Sequence, residues 1–448
     1  MKDLTKGSPR KLILAFAFPV FLGNLFQLFY SLADTRIVGS LLGKDALAAV
    51  GATTSISNLI VGFLFGLTNG FAILVAMRFG EGNEKELKRS VAGTILLGMM
   101  TSILMTIIIV ACLRPILRLL NTPEDLFEQT YTYIRIIFLG MTCSMLYNVC
   151  ASILRAIGDS LSPLIFLIMS TILNVVLDLF LIGKVGMGVE GAAYATIISQ
   201  SFSALLCVIY IHIRYPILHI KREDFRMNKT LTKKLLQSGL SMGFMNSLVS
   251  LGTVALQSSI NTFGTDTIVA HAAARKLTEL YMLIFTVFGT TMATYAGQNM
   301  GAGKVKRIKQ GLRLVITITW VWSVAAMILT YTVGPKLIYW ITKVDTPAVI
   351  TTSVRYLKFN TVFYFVPAVI CVFRNTMQGM GDHLTPIFSS FIELAGKVLI
   401  VILLTPRMKY DGIIISEPIV WILMVIPLII QLFKQLKQSG REESIQLS

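Results

Sequence analysis

The chain has 448 residues, of which 54% are hydrophobic and 14% are charged, and it carries a formal net charge of +17. Ordinary soluble domains contain about a quarter charged residues, so this composition excludes a typical soluble enzyme and favours a membrane protein. A basic balance can indicate nucleic-acid binding, but here the positive charges lie between apolar segments, as membrane topology requires. We therefore expect no nucleic-acid partner.

The apolar segments predict twelve transmembrane helices, because about 20 apolar residues cross a ~30 Å hydrocarbon layer as a helix. A helix is expected because lipid offers no partners to open backbone groups. The first segment is too long for a signal peptide. The expected spans are about 12–36, 46–76, 91–113, 130–153, 163–182, 191–213, 236–262, 268–296, 311–332, 352–373, 386–404 and 412–434.

Three short motifs recur at a nearly constant distance, which indicates an internal duplication. Gly43-Lys44-Asp45 returns as Gly264-Thr265-Asp266 and Gly80-Glu81-Gly82 as Gly301-Ala302-Gly303, each 221 residues later, and Ile157-Gly158-Asp159 returns as Met380-Gly381-Asp382, 223 residues later. Six spans per copy is an even number, so both copies enter the membrane from the same side as parallel repeats. A duplicated membrane protein is most often a secondary transporter.

This organisation predicts four parts: a first lobe over 1–213 with helices 1–6, a cytoplasmic linker over 214–234, a second lobe over 235–437 with helices 7–12, and a cytoplasmic tail over 438–448 that is expected to be disordered. With the N-terminus in the cytoplasm, the inner segments carry 24 Lys and Arg residues and the outer loops carry 9. This bias places both termini in the cytoplasm.

Polar residues inside the early spans predict a cation site, since ionisable groups within a membrane mark function by default. Asn174 and Asp178 are four residues apart and share one helix face, and their oxygens suit a small cation or a proton. Asp34 would add a second carboxylate if the first helix continues past it, and Thr196 would add a hydroxyl. The alternatives are an interfacial Asp34 paired with Arg36, and an Asp178 that lies at a helix end near the outer surface.

A second set of charged residues lies in the later spans. Glu393 and Lys397 have the i, i+4 spacing that favours an ion pair, and Lys397 is the counterpart of Asn174 at the 223-residue offset. We expect either a structural ion pair or a fixed ammonium where the first half binds a mobile cation. His271 is either a proton-linked group or a packed side chain.

The sequence gives no sign of enzyme chemistry. The Gly-x-Gly loops lack the Gly-Lys-Ser/Thr ending of a phosphate loop, and no hydrolase or zinc-protease motif is present. The cysteines have neither metal-site spacing nor a paired framework, so we expect small buried hydrophobic residues. They are Cys112, Cys143, Cys150, Cys207 and Cys371.

Further motifs run in order along nearly the whole chain. They are Leu4-Thr5-Lys6-Gly7, Phe18-Pro19, Tyr30-Ser31-Leu32-Ala33-Asp34-Thr35, Ile37-Val38-Gly39, Asp45-Ala46-Leu47-Ala48-Ala49-Val50-Gly51, Arg155-Ala156-Ile157-Gly158-Asp159, Gly188-Val189-Glu190-Gly191-Ala192-Ala193 and Ala293-Thr294-Tyr295-Ala296-Gly297-Gln298-Asn299. In this order they resemble the multidrug and toxic compound extrusion (MATE) transporters, in their bacterial MepA-like branch. The chain departs from that branch at Arg36, Ser40 and Lys397, where an aliphatic residue, Arg and Arg are usual.

The resemblance implies an all-α integral membrane protein whose two six-helix lobes form a V around a central cavity. It also implies export of organic compounds in exchange for sodium ions or protons, with no other cofactor. The family's first-lobe cation site maps onto Asp34, Asn174 and Asp178, which would hold sodium if sodium is the coupling ion, with Thr196 as a neighbour. Arg36 so near Asp34 would favour the charged carboxylate and disfavour proton carriage. We expect a monomer in the bacterial cytoplasmic membrane.

The expected function is therefore cation-coupled export of amphipathic, preferably cationic, organic compounds. Apolar and aromatic walls with a few acids bind such ligands with little demand on shape. The alternatives are a lipid-linked oligosaccharide flippase of the same superfamily, which often has more spans and a cationic cavity, and a non-transporting membrane enzyme. The candidate cavity residues are Gln27, Asn58, Tyr147, Gln257, His271, Met282 and Gln378.

Overall fold

The structure is a computed structural model that describes residues 3–120, 122–342 and 346–446, with positions 55, 342 and 441–446 described by their backbone alone. These ranges contain α-helices and short helical turns but no β-strand, which confirms the all-α prediction. The helices are α1 (Pro9–Glu81), α2 (Glu84–Leu119), α3 (Glu124–Leu139), α4 (Met141–Ala156), α5 (Leu161–Asp178), α6 (Val189–Arg214), α7 (Lys229–Ile260), α8 (Thr265–Gly301), α9 (Val305–Thr342), α10 (Pro347–Thr361), α11 (Phe365–Gly379), α12 (Leu384–Leu403), α13 (Thr405–Met408) and α14 (Tyr410–Gln446).

The number of membrane spans agrees with the prediction. Ten helical segments in the described part of the chain are long and apolar enough to cross a membrane, and two bent helix pairs raise the number to twelve. The bent pairs are α3 with α4, at 44°, and α10 with α11, at 59°. Gly140 separates the first pair. Pro367 follows the second bend and has no N–H to continue the helical hydrogen bonds.

The repeated glycine motifs adopt the same backbone conformation in both copies. Their φ angles are 85° and 88° at Gly43 and Gly264, 72° and 69° at Gly82 and Gly303, and 84° and 90° at Gly158 and Gly381. Glycine enters this left-handed region at little cost, whereas other residues rarely adopt it. Each pair therefore marks the same turn in the two halves, as the duplication predicts.

The acid that follows the third glycine pair has the same role in both copies. Asp159 accepts a hydrogen bond from the backbone N of Ser162 at 3.0 Å, and Asp382 accepts one from the backbone N of Thr385 at 3.1 Å. Each acid thereby satisfies an open N–H at the start of α5 or α12. In the first copy, Tyr215 also donates to Asp159, at 2.7 Å, and burial of its ring raises the pKa of Tyr215.

Residue contacts divide the chain into two compact units. The first unit comprises Met1–Asp3 and Phe18–Gly243, and the second comprises Leu4–Ala17 and Phe244–Ser448. The division therefore runs through α1 and α7. The lobe boundaries at 213 and 235 stay predictions.

Residues 4–17, which we call the N-terminal strap, are tied into the second unit by backbone hydrogen bonds. Leu4 is 1% exposed, and its N donates to Gln298 Oε1 at 2.9 Å. The guanidinium of Arg307 donates to the carbonyl oxygens of Leu4, at 3.1 Å, and Gly7, at 2.8 Å. The motifs Leu4-Thr5-Lys6-Gly7 and Gln298-Asn299 are therefore parts of one packed structure.

In the first unit, α1 and the start of α7 approach closely. Ser238 Oγ donates to Gly70 O at 2.6 Å, and a Cβ atom on Gly70 would lie 2.3 Å from Ser238 O. A residue without a side chain is needed for helices to pack at this distance. The core around this crossing contains Leu67, Phe71 and Leu235, none of which is exposed.

Some expectations for the segments between and after the spans need correction. The linker contains two short 3₁₀ turns, Pro216–Leu218 and Arg222–Phe225. The tail was expected to be disordered, but α14 continues through it to Gln446, and 447–448 lie outside the described residues. Among the cysteines, Cys150 and Cys207 are buried as expected, whereas Cys112 is exposed.

The charge count is also revised. Arg155 and Arg374 were counted as inner-loop charges, but they lie inside α4 and α11. Without them, the inner segments carry 22 basic residues against 9 in the outer loops, so the bias remains. Lys2 and Lys343, which are included in the count, lie outside the described residues.

Candidate functional site

The first candidate site is built where α1, α5 and α6 meet in the first unit. The helix that carries Asp34 continues past this residue to the break at Gly43, as the site required. Asn174 and Asp178 share the last turns of α5, and neither is exposed to solvent. A π-helical turn, Leu179–Lys184, follows immediately. Such turns are rare and often lie at functional sites.

The predicted site residues are in contact with each other. In the amide orientation that satisfies both of its neighbours, Asn174 Nδ2 donates to Asp178 Oδ2 at 3.1 Å, and Asn174 Oδ1 accepts from the backbone N of Thr196 at 3.3 Å. Thr196 Oγ1 lies 3.3 Å from the hydroxyl of Tyr30. The fifth and sixth spans are thus joined through the side chain of Asn174.

Asp34 and Asp178 form a carboxyl pair without a counter-charge. The two groups lie within hydrogen-bonding distance of each other, and each keeps one buried oxygen, Oδ1, without a partner. Within the described ranges neither acid forms an ion pair, and Arg36 is exposed rather than bonded to Asp34. Two adjacent carboxyl groups cannot both be charged unless they share a proton or a cation. The pair can therefore hold one proton or one small cation.

Two tyrosines complete this site, and the sequence reasoning did not name either of them. Tyr30 lies one helical turn before Asp34, so its spacing was a usable signal. Tyr133, on α3, is close enough to interact electrostatically with both Asp34 and Asp178. Its position could not be read from local spacing, because α3 is about a hundred residues away from α1 in the chain.

The second unit contains the predicted pair of Glu393 and Lys397. Lys397 Nζ lies 2.9 Å from Glu393 Oε1, and Arg374 Nη2 lies 3.6 Å from Glu393 Oε2. The three side chains are at most 8% exposed. Arg374 also donates to Ser389 Oγ at 3.2 Å. The pair is therefore a buried triad, and its third member was mistaken for a loop residue.

A second acid of this unit was missed. Glu417, on α14, forms an ion pair with Arg275 at 3.0 Å and accepts a hydrogen bond from Tyr356 Oη at 2.6 Å. Glu417 falls inside the twelfth predicted span, so an in-membrane acid was visible in the sequence. His271 is buried beside this cluster, with Nδ1 3.0 Å from Tyr410 Oη.

The candidate cavity residues differ in exposure. Gln27, Asn58 and Gln257 are exposed, Tyr147 and Met282 are half-buried, and His271 and Gln378 are buried. Their role in a cavity stays a prediction. Within the described part of the chain, no group of three or more His, Cys, Asp or Glu side chains is arranged to hold a metal ion.

Comparison with known proteins supports the duplication. A family model described as MatE matches residues 19–180 and, a second time, residues 241–403. The two matches are displaced by 222 to 223 residues, which is the distance between the repeated motifs. The same model therefore describes both halves of the chain.

Curated proteins match across most of their length. The probable multidrug resistance protein YoeA of Bacillus subtilis is 28% identical over 389 residues, which are 85% of this chain and 83% of YoeA. A FAD transporter of Shewanella oneidensis is 23% identical over 95% of both chains. The multidrug export protein MepA of Staphylococcus saprophyticus is 22% identical over 94% of this chain and 91% of MepA.

A solved structure, the crystal structure of MATE in the bent conformation, matches with a TM-score of 0.90 over 98% of both chains at 22% identity. This similarity establishes the fold. The family model covers both halves of the sequence. The chain therefore belongs to the MatE family of multi-pass membrane transporters, as its motifs predicted.

Proposed function

We propose that the protein is a cation-coupled antiporter that exports amphipathic organic compounds. One observation carries this proposal: Asp34 and Asp178 form a buried carboxyl pair with no basic partner among the described residues. Such a pair is stable only while a proton or a small cation compensates its charge. Because two spans contribute the carboxyl groups, occupancy of the site is linked to the packing of those spans.

The energy available for coupling follows from Coulomb's law. Two carboxylates about 4 Å apart repel each other by roughly 4 kcal/mol at an effective dielectric constant near 20. A bound cation removes this repulsion and its release restores it. An ion can drive a conformational change only through a difference in affinity between two states. The carboxyl pair would supply that difference, since α1 and α5 need not stay equally close in both states.

The coupling ion is sodium or a proton, and the oxygens of Asp34, Asn174 and Asp178 suit either. Within the site, Asn174 would keep Asp178 in place, because its amide bonds to both Asp178 and the backbone of α6. Thr196 and Tyr30 would add neutral oxygens. We expect no other cofactor and no enzymatic step.

The substrates would be amphipathic compounds, with organic cations as the first choice. YoeA and MepA are named for multidrug resistance and multidrug export, which supports a broad substrate range. The FAD transporter is a relative of similar coverage and is named for an anionic compound. Efflux of ethidium and of FAD, measured in parallel in the same vesicles, distinguishes these two classes.

We place the protein as a monomer in the bacterial cytoplasmic membrane, with both termini in the cytoplasm. The excess of 22 basic residues in the inner segments over 9 in the outer loops supports this orientation.

Dye efflux from inverted vesicles tests the proposal. One set of vesicles receives a sodium gradient alone and a second set a proton gradient alone. We expect efflux in one set and not in vesicles with Asp178→Asn. Glu128→Gln is a matched control, because Glu128 is an exposed acid of the same unit. Efflux that requires neither gradient would refute ion coupling.

A further inference from the structure

The charged cluster of the second unit lies at positions that correspond to the first-unit site. At the 223-residue offset Asn174 corresponds to Lys397 and Tyr133 to Tyr356, and at the 221-residue offset, which also relates Gly191 to Gly412, Thr196 corresponds to Glu417. The members of each pair lie on corresponding helices, namely α5 and α12, α3 and α10, and α6 and α14. The two clusters are therefore two copies of one site.

The copies differ in how their carboxyl groups are compensated. In the first unit, the acids touch each other, and each has a buried oxygen without a partner. In the second unit, Glu393 lies 2.9 Å from Lys397 and 3.6 Å from Arg374. Glu417 lies 3.0 Å from Arg275 and accepts the hydrogen bond from α10.

The basic side chains also act across the second cluster. Lys397 is close enough to influence Glu417 electrostatically, and Arg275 influences Glu393 in the same way. Among the described residues, neither Glu393 nor Glu417 has a buried oxygen without a partner. Glu279, which also interacts with Arg275, is exposed. A cation entering this cluster would meet fixed positive charges and no open carboxylate oxygen.

We propose that Lys397, together with Arg374 and Arg275, permanently closes the second copy of the site to mobile cations. The protein then binds its coupling ion only in the first unit, and Lys397 is a residue that determines ion stoichiometry. This inference rests on the proposed function, because it takes the first-unit carboxyl pair as the place where the ion binds.

The first test counts bound ions on the full-length protein purified in detergent. Sodium-22 binding is measured by scintillation proximity, and proton uptake is measured with an indicator dye in weakly buffered solution. We expect one ion on the unaltered protein, none at this site in Asp178→Asn, and one in the control Glu128→Gln. A folded Asp178→Asn protein that keeps a full equivalent of bound ion overturns the inference, because the second unit would then bind it.

The second test opens the closed copy. Lys397→Asn with Arg374→Gln leaves Glu393 without either adjacent cation and beside an amide, as Asp178 lies beside Asn174. We expect this variant to bind one more ion than its parent, and addition of Glu393→Gln should abolish the gain. A monodisperse variant that gains no ion contradicts the inference.

The gain is measured relative to the parent protein, so it remains informative even if the first unit binds no ion. That last outcome, no ion on the unaltered protein and no effect of Asp178→Asn, would refute the proposed function alone. If the double variant does not fold, the ion count in Asp178→Asn still decides whether the second unit is closed.

Discussion

Replacement of Lys397 by methionine removes the ammonium group 2.9 Å from Glu393 and keeps a side chain of similar length. From the sequence alone, this change leaves a buried carboxylate without any partner. The structure predicts a milder effect, because Arg374 stays 3.6 Å from the same carboxylate. The buried triad then contains one acid and one base, and its charges still balance.

The expected costs can be ordered from these contacts. Lys397→Met loses one charge-assisted hydrogen bond, which is worth about 1.5–3 kcal/mol. Glu393→Gln leaves Lys397 and Arg374, both at most 8% exposed, without their shared carboxylate. Breaking a buried ion pair in this way costs about 3–5 kcal/mol. Glu393→Gln should therefore be the more damaging change by about 1–3 kcal/mol, the difference between those ranges.

Thermal unfolding of the purified variants in one detergent measures this order. We expect the midpoint to fall from the unaltered protein to Lys397→Met and further to Glu393→Gln. Lys276→Met is the control, because Lys276 is exposed on α8 and surface substitutions change stability by less than about 0.5 kcal/mol. If Glu393→Gln unfolds no earlier than Lys397→Met, Arg374 does not share the carboxylate and the triad is misassigned.

The other predictions concern topology, coupling and helix packing. Reporter fusions at Lys184 and Thr230 should lie outside and inside the cell, respectively, and equal cytoplasmic signals would contradict the six-plus-six topology. Asp178→Asn should abolish cation-driven dye efflux at unchanged expression, because it removes charge but keeps size, and full efflux would make this acid structural. Gly70→Ala places a Cβ 2.3 Å from a backbone oxygen of α7 and should cost about 1–3 kcal/mol in thermal unfolding. Gly62→Ala has open space and should be nearly neutral, so equal effects would refute the close crossing.

Local patterns in the sequence were sufficient for the spans, the duplication and the first-unit acids. The spans follow from uninterrupted apolar runs, and the shared helix face of Asn174 and Asp178 follows from their spacing alone. The same reasoning found Glu393 and Lys397. Each of these predictions depends on residues within a few helical turns of one another.

The missed residues depend on contacts between distant parts of the chain. Arg275 and Glu417 are 142 residues apart, so spacing could not reveal their ion pair. Arg374 was placed in a loop because basic residues usually mark the end of a span. In the structure α11 continues to Gly379, and the carboxylate of Glu393 compensates the buried guanidinium.

The N-terminal strap has a consequence for the history of the chain. Residues 4–17 belong to the second unit, and their counterparts at the 221-residue offset, 225–238, belong to the first. Each half therefore lends its opening segment to the other half. Two copies of a single six-helix ancestor could have made the same exchange between subunits, as domain-swapped dimers do. Gene fusion would have fixed that exchange in one polypeptide, so a half produced alone would lack its own first segment.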